Sequence, residues 1–184
     1  MELEMNSYQR FLSGDESGLA EIICTYKDGL ILYLNGYVND LSTAEELTEE
    51  TFVKLILKRP QFSKRCAFKT WLYAIGRNTA LDHLRRSKKP EVSLEECTQL
   101  GDEEESLEHA CIQQEDKRML HQCMKKLKQE YRQVLWLAYF EGFTYPEIGR
   151  ILRKTTHNVE TMAYRARLAL KKILTEEGYV YENL

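Results

Sequence analysis

From Leu19 onward apolar positions recur at a three-and-four spacing: Leu19, Ile22, Ile23 and Tyr26, then Leu30, Tyr33, Leu34, Tyr37 and Val38. That period turns one stripe of a helix inward and leaves the other faces to water, so it predicts a helix with one buried side. Ser42 and Thr43 each precede a glutamate by three residues, Glu45 and Glu46, and either pair can open the next helix as a capping box. Pro60 closes that helix after Lys58 and Arg59. A third helix is expected to open near Ala67 or Phe68 and to run to about Arg86, with Phe68, Trp71, Leu72 and Ile75 on one face, before Lys88-Lys89-Pro90 ends it.

The second half follows the same logic with sharper punctuation. Ile112, Met119, Leu120, Cys123 and Leu127 form one stripe, and Tyr131, Val134, Leu135 and Ala138 the next. Gly142 is placed to cap it in the left-handed conformation. Thr144 then reads as an N-cap with Glu147 as its N3 partner, Pro146 in the first turn and Phe143 able to staple to Ile148. After Leu152 the break Arg153-Lys154-Thr155 leads into a last helix whose apolar positions are Val159, Ala163, Ala166, Leu170 and Ile173. Two short helices joined by a tight turn make a helix-turn-helix pattern. No strand pattern competes, and no internal repeat is evident.

Composition changes the picture at one place. Residues 1–86 carry 11 basic and 12 acidic side chains, 87–110 carry 2 and 8, and 111–184 carry 13 and 9. The expected architecture is therefore all-α: two small helical domains, 1–86 and 111–184, joined by a flexible acidic linker over 87–110. An aromatic and basic helix in the first domain and a helix-turn-helix in the second point to DNA. Five cysteines without a C-x-x-C pair suggest neither a disulfide framework nor a zinc ribbon, which fits a reducing cytoplasm. MELEMNSYQR has no basic start followed by an apolar core, and no run approaches the roughly 18 apolar residues of a membrane span, so a soluble cytoplasmic protein is expected. Dispersed histidines (His83, His109, His121, His157), no Gly-rich phosphate loop and no nucleophile–base pair argue against an enzyme, a cofactor, a metal or a small-molecule substrate.

Thr43-Ala44-Glu45-Glu46-Leu47-Thr48-Glu49-Glu50-Thr51-Phe52 resembles the D-A-E-D-L-T-Q-E-x-F signature of sigma region 2.2. Phe68 to Arg86 looks like regions 2.3 and 2.4, and Tyr131 to Leu174 is similar to region 4. The chain thus resembles a bacterial sigma factor of the extracytoplasmic-function group, over nearly its whole length and in the family's order. That resemblance implies a transcription initiation factor with core RNA polymerase, promoter DNA and, commonly, an anti-sigma factor as partners. Glu45, Glu46, Thr48, Glu49, Phe52 and Leu55 match the polymerase-docking positions. Acidic side chains would steer and set register while a central apolar anchor supplies affinity; Phe52 is expected to be that anchor, and its loss to leave the helical fold intact. On the residues alone, a glutamate run at a helix start also serves the helix dipole.

The resemblance assigns Phe68–Arg86 to recognition and melting of the promoter -10 element, whose single strand is held by aromatic stacking and cationic grooves. Lys64, Arg65 and Lys69 lie in or beside the loop that in the family pockets a flipped base. Arg77, Arg85 and Arg86 can track phosphate, and Asn78 matches a position that meets the -10 bases. Phe68 and Trp71 share a stripe with Leu72 and Ile75 and are expected in the core, leaving Tyr73 as the aromatic exposed to DNA. Ala74 stands where the family often has arginine.

In region 4 the last helix is expected to enter the major groove of the -35 element with Thr156, His157, Asn158, Glu160, Thr161, Tyr164 and Arg165. Family members commonly have glycine at Arg153, an apolar residue at Lys154, a basic one at Glu160 and arginine at Met162, so the promoter sequence does not transfer. The resemblance implies that the acidic linker follows the nascent-RNA path, where a negative chain can mimic the RNA backbone, with Leu94, Leu100 and Leu107 as candidate contacts; on the residues alone it is equally a solvated spacer. With region 2 near neutral and the linker negative, the isolated chain should attract free DNA weakly. Two other functions fit parts of the chain: a helix-turn-helix regulator working without polymerase, which leaves the first half unused, and a helical adaptor without DNA, which leaves Asn78, Arg85 and Arg86 unexplained.

Overall fold

A computed structural model describes residues 2–62, 66–87 and 111–178, with side chains over 7–62, 66–87 and 119–178. Lys64, Arg65 and all but the first residue of the acidic linker, including Leu94, Leu100 and Leu107, lie outside the described residues. The first module comprises α1 (Glu2–Leu12), α2 (Ser17–Val38), α3 (Leu41–Lys58) and α4 (Phe68–Ser87). The second comprises α5 (Cys111–Lys126), α6 (Gln129–Leu135), a π turn (Trp136–Phe140), α7 (Tyr145–Leu152) and α8 (Thr156–Glu176). Among the described residues there is no strand, and no helix is long and apolar enough to cross a membrane.

The α2 stripe behaves as its spacing predicts: Ile22, Tyr26, Leu30, Tyr33, Leu34 and Tyr37 are all buried, against α1, α3 and α4. Capping of α3 differs from expectation. Asp40 in extended backbone accepts the Thr43 N–H at 2.7 Å, so the helix opens one residue before Ser42 and needs neither capping box. A carboxylate directly before the helix answers an orphan N–H without a reciprocal partner. The start of α4 at Phe68 and the left-handed Gly142 agree with the sequence. So does the reach-back of Glu147, whose carboxylate accepts the Thr144 N–H at 2.9 Å.

The helix α1 carries no periodic signal that marks it in the sequence, yet it contributes Tyr8 and Phe11 to the core. It crosses α2 at Gly18, where a Cβ would fall on the Ser7 carbonyl oxygen and 3.0 Å from the Phe11 amide. Backbone against backbone cannot yield as a side chain can. Gly18→Ala should therefore cost about 1–3 kcal/mol by forcing α1 outward, although alanine favours the helix locally; chemical denaturation reads the difference, and an unchanged midpoint would show that α1 can shift freely.

The two modules do not hang apart. Their buried residues form one continuous apolar cluster in which α4 packs on α7 and α2 on α6. Between them, the Phe143 ring meets Tyr73 edge-on at 5.1 Å. This packing was not legible in the sequence.

Candidate polymerase and nucleic-acid interfaces

With about 100° of turn per residue, α3 separates its side chains into two faces. Glu45, Glu46, Glu49, Val53, Ile56 and Leu57 are exposed, while Ala44, Leu47, Thr48, Thr51, Phe52 and Leu55 are buried opposite. This corrects three expected docking residues. Phe52 is 5% exposed, Leu55 is fully buried, and Thr48 is turned inward with its hydroxyl donating to the Ala44 carbonyl at 2.9 Å. Such groups hold α3 on α2 and α4 and have no surface left for a partner. The apolar surface lies one step further along: Leu57 is 77% exposed, with Val53 and Ile56 beside it. Within that exposed face three carboxylates stand toward the start of the helix, after Leu41 and Ser42, and three aliphatic side chains toward its end, followed by Lys58. Sequence reasoning missed the aliphatic end, although a helical projection from Ala44 and Leu47 would have found it.

On α4 the nominated residues divide. Phe68 is buried and Trp71 packs half-buried against it at 5.6 Å, as expected. Tyr73 is not the exposed aromatic: it is 1% exposed, tilted against the Tyr33 ring at 5.3 Å and covered by Phe143. Its hydroxyl donates to the Glu141 carboxylate at 2.6 Å. Burial first, and then that carboxylate, push the Tyr73 phenol far above its ordinary pKa. Lys69 is also engaged, donating to the Glu141 carbonyl at 2.8 Å and pairing with its carboxylate at 3.0 Å. Arg77 is half-buried beside Tyr37; burial raises the Tyr37 phenol to about 12, and the Arg77 charge works against that rise. Asn78 is half-buried. Arg85 and Arg86 are exposed at the end of the helix; Arg85 pairs with Asp82, and Arg86 lies 3.8 Å from Glu50.

The helix-turn-helix has the geometry its sequence predicts. The Thr155 hydroxyl accepts the Asn158 N–H at 3.3 Å and caps α8, whose Val159, Ala163 and Ala166 face the core. Small residues there let α8 approach α6 and α7 closely. Thr156, His157, Asn158, Glu160, Tyr164 and Arg165 are exposed and Thr161 half-exposed, so the first turns of α8 present an uninterrupted polar surface. Arg150, Arg153, Lys154, Thr155 and Thr156 line an open concavity at the start of that surface. Arg167 donates to the Tyr139 and Tyr145 hydroxyls at 3.1 and 3.2 Å and braces the module.

Arg153 ends α7 at φ 55°, in the left-handed region where a Cβ is strained. Arg153→Gly should stabilise the module by about 0.5–1 kcal/mol in a denaturant titration while removing one cation from the DNA side. A lower midpoint would mean that the arginine makes a compensating contact.

Residues 22–89 match the family model of sigma-70 region 2, and residues 117–170 match that of sigma-70 region 4. The chain is 34% identical over 156 residues to the RNA polymerase sigma factor YlaC of Bacillus subtilis, covering 82% of this chain and 88% of that protein. It is 29% identical over 182 residues to the RNA polymerase sigma-H factor of Pseudomonas aeruginosa, covering 94% of each. Its fold resembles that of the sigma factor RpoE solved with the anti-sigma factor NepR from Bartonella quintana, with TM-score 0.65, 20% identity and coverage of 85% of this chain and 96% of that one. Two sigma modules in the family's order, on a helical body of matching fold, place the chain in the sigma-70 family of RNA polymerase sigma factors, in its extracytoplasmic-function group.

Proposed function

We propose that residues 1–86 dock this initiation factor on core RNA polymerase and read the -10 element, and that residues 111–184 read the -35 element. The observation that carries this division is the chemistry of the exposed faces. The α3 face combines Glu45, Glu46 and Glu49 with Val53, Ile56 and Leu57, a charged rim beside an apolar centre suited to a basic and apolar partner. The α8 face offers hydroxyl, imidazole, amide and carboxylate groups able to read base edges, with Arg150, Arg153 and Lys154 behind them for phosphate. On α4, Lys69, Tyr73, Arg77, Asn78, Arg85 and Arg86 remain the -10 candidates, joined by Lys64 and Arg65.

The factor positions polymerase and leaves bond formation to it, working in the cytoplasm where polymerase acts. An anti-sigma factor is a further proposed partner, since the similar RpoE was solved with one. Co-purification tests the reading: the tagged full chain should retain core polymerase from lysate and from purified components. Sequence-specific promoter binding without polymerase would favour the stand-alone regulator, and binding to neither would favour the adaptor.

A further inference from the structure

Two of the -10 candidates on α4 are already occupied, and by the other module. The Glu141 carboxylate, 11% exposed, accepts the Tyr73 hydroxyl at 2.6 Å and pairs with Lys69 at 3.0 Å. The π turn over Trp136–Phe140 and the bond from the Glu141 N–H to the Trp136 carbonyl at 3.2 Å set its position. Phe143, two residues on, covers the Tyr73 ring, and the Lys69 ammonium lies 4.8 Å over the Phe143 ring. Thr70 adds a bond to Glu147 of α7 at 3.3 Å. Beneath the carboxylate is Gly29 of α2, where a Cβ would come within 2.7 Å of the Tyr73 hydroxyl and 2.8 Å of a Glu141 oxygen. Between α6 and the end of α2, Arg132 donates to Asn39 at 2.9 Å and adds a second polar link between the modules.

We infer that Glu141 is the pin of an autoinhibitory latch: its carboxylate, held by Tyr73 and Lys69 over Gly29, keeps the helix-turn-helix module closed on the -10 face of α4 in the free protein. This rests on the assignment of α4 to the -10 strand. The carboxylate stands where an oxyanion of the nucleic acid would otherwise meet Lys69, and Phe143 takes the aromatic face on which a base would stack. Closed latch and bound strand therefore compete for the same two side chains. Besides these polar bonds α4 packs on α7 and α2 on α6 within the shared apolar cluster, so opening requires a partner that binds each module separately and offsets that burial; Lys69 keeps 28% of its surface in water.

The test uses the full chain and two variants. Glu141→Gln removes the charge that holds Lys69 and keeps the shape, whereas Gly29→Ala inserts a methyl group under the pin from a helix that alanine favours. Small-angle X-ray scattering reads opening, and fluorescence anisotropy reads affinity for a labelled mixed-sequence single-stranded DNA of about 12 nucleotides, a length within the usual site sizes. Both variants should have a larger radius of gyration than wild type and bind the strand about tenfold more tightly, as expected when the competent state rises from a tenth to nearly all of the population. Circular dichroism checks the fold; should Glu141→Gln lose it, Gly29→Ala carries the test. Unchanged scattering with unchanged affinity would overturn the latch. Opening without a gain in affinity would overturn the masking by removing α4 from the DNA site, while co-purification with polymerase would still stand.

Discussion

Glu49→Lys combined with Leu57→Lys should weaken association with core RNA polymerase by about a hundredfold or more, with the stability of the protein nearly unchanged. Both side chains are exposed on α3, and Leu57 is the most exposed large apolar residue described. Removing an apolar anchor at an interface costs about 2 kcal/mol or more, and reversing the adjacent charge replaces attraction by repulsion. Surface changes of this kind move folding stability by only about 0.5 kcal/mol. Phe52→Ala should do the opposite. Its ring is in the core, so truncation should cost about 3–5 kcal/mol of stability, and polymerase binding should fall only as the folded fraction falls. Equilibrium denaturation beside a polymerase-binding assay separates the two. Lost binding by Phe52→Ala at full stability would return the anchor to Phe52.

Glu160→Gln should shift base preference at one position of the -35 element by about 1–3 kcal/mol, the range of a good base-edge contact. Glu160 is exposed on the first turns of α8, one turn after Thr156. Among the described residues it has no ion pair, so neither Arg153 nor any other cation ties the carboxylate down. A free carboxylate cannot hold a phosphate, but it can accept from the N4 amino group of cytosine. Glutamine keeps the length and changes the donor and acceptor pattern. A promoter-library selection with the holoenzyme reads the result: preference at a single base pair should relax or move, whereas uniform weakening across sequences would mark a backbone effect. Identical -35 preference for both proteins would make Glu160 a solvated side chain.

The legible part of this fold was local. The stripe of α2, the start of α4 at Phe68, the left-handed Gly142 and the Thr144–Glu147 cap all follow from periods and pairings within a few residues, and all agree with the structure. Where two local solutions competed, the sequence could not rank them: Asp40 caps α3 although Ser42 and Thr43 each offered a capping box. The site was less legible than the fold. Phe52 reads as an anchor from its motif, but its angle on α3 relative to Ala44 and Leu55 turns it inward. Tyr73 fails for a different reason. Its partner Glu141 is 68 residues away, and helical spacing says which face is covered without saying what covers it. The same limit hid the packing of the second module on the first.

Run-off transcription with purified core RNA polymerase on upstream regions of the source organism tests the central claim most directly. The account predicts discrete transcripts that require both core and this protein, start at fixed sites downstream of -10 and -35 sequences, and disappear with Glu49→Lys/Leu57→Lys. Core polymerase that initiates no more often, and at no different sites, when the folded protein is added in excess to promoters from across the genome would contradict it.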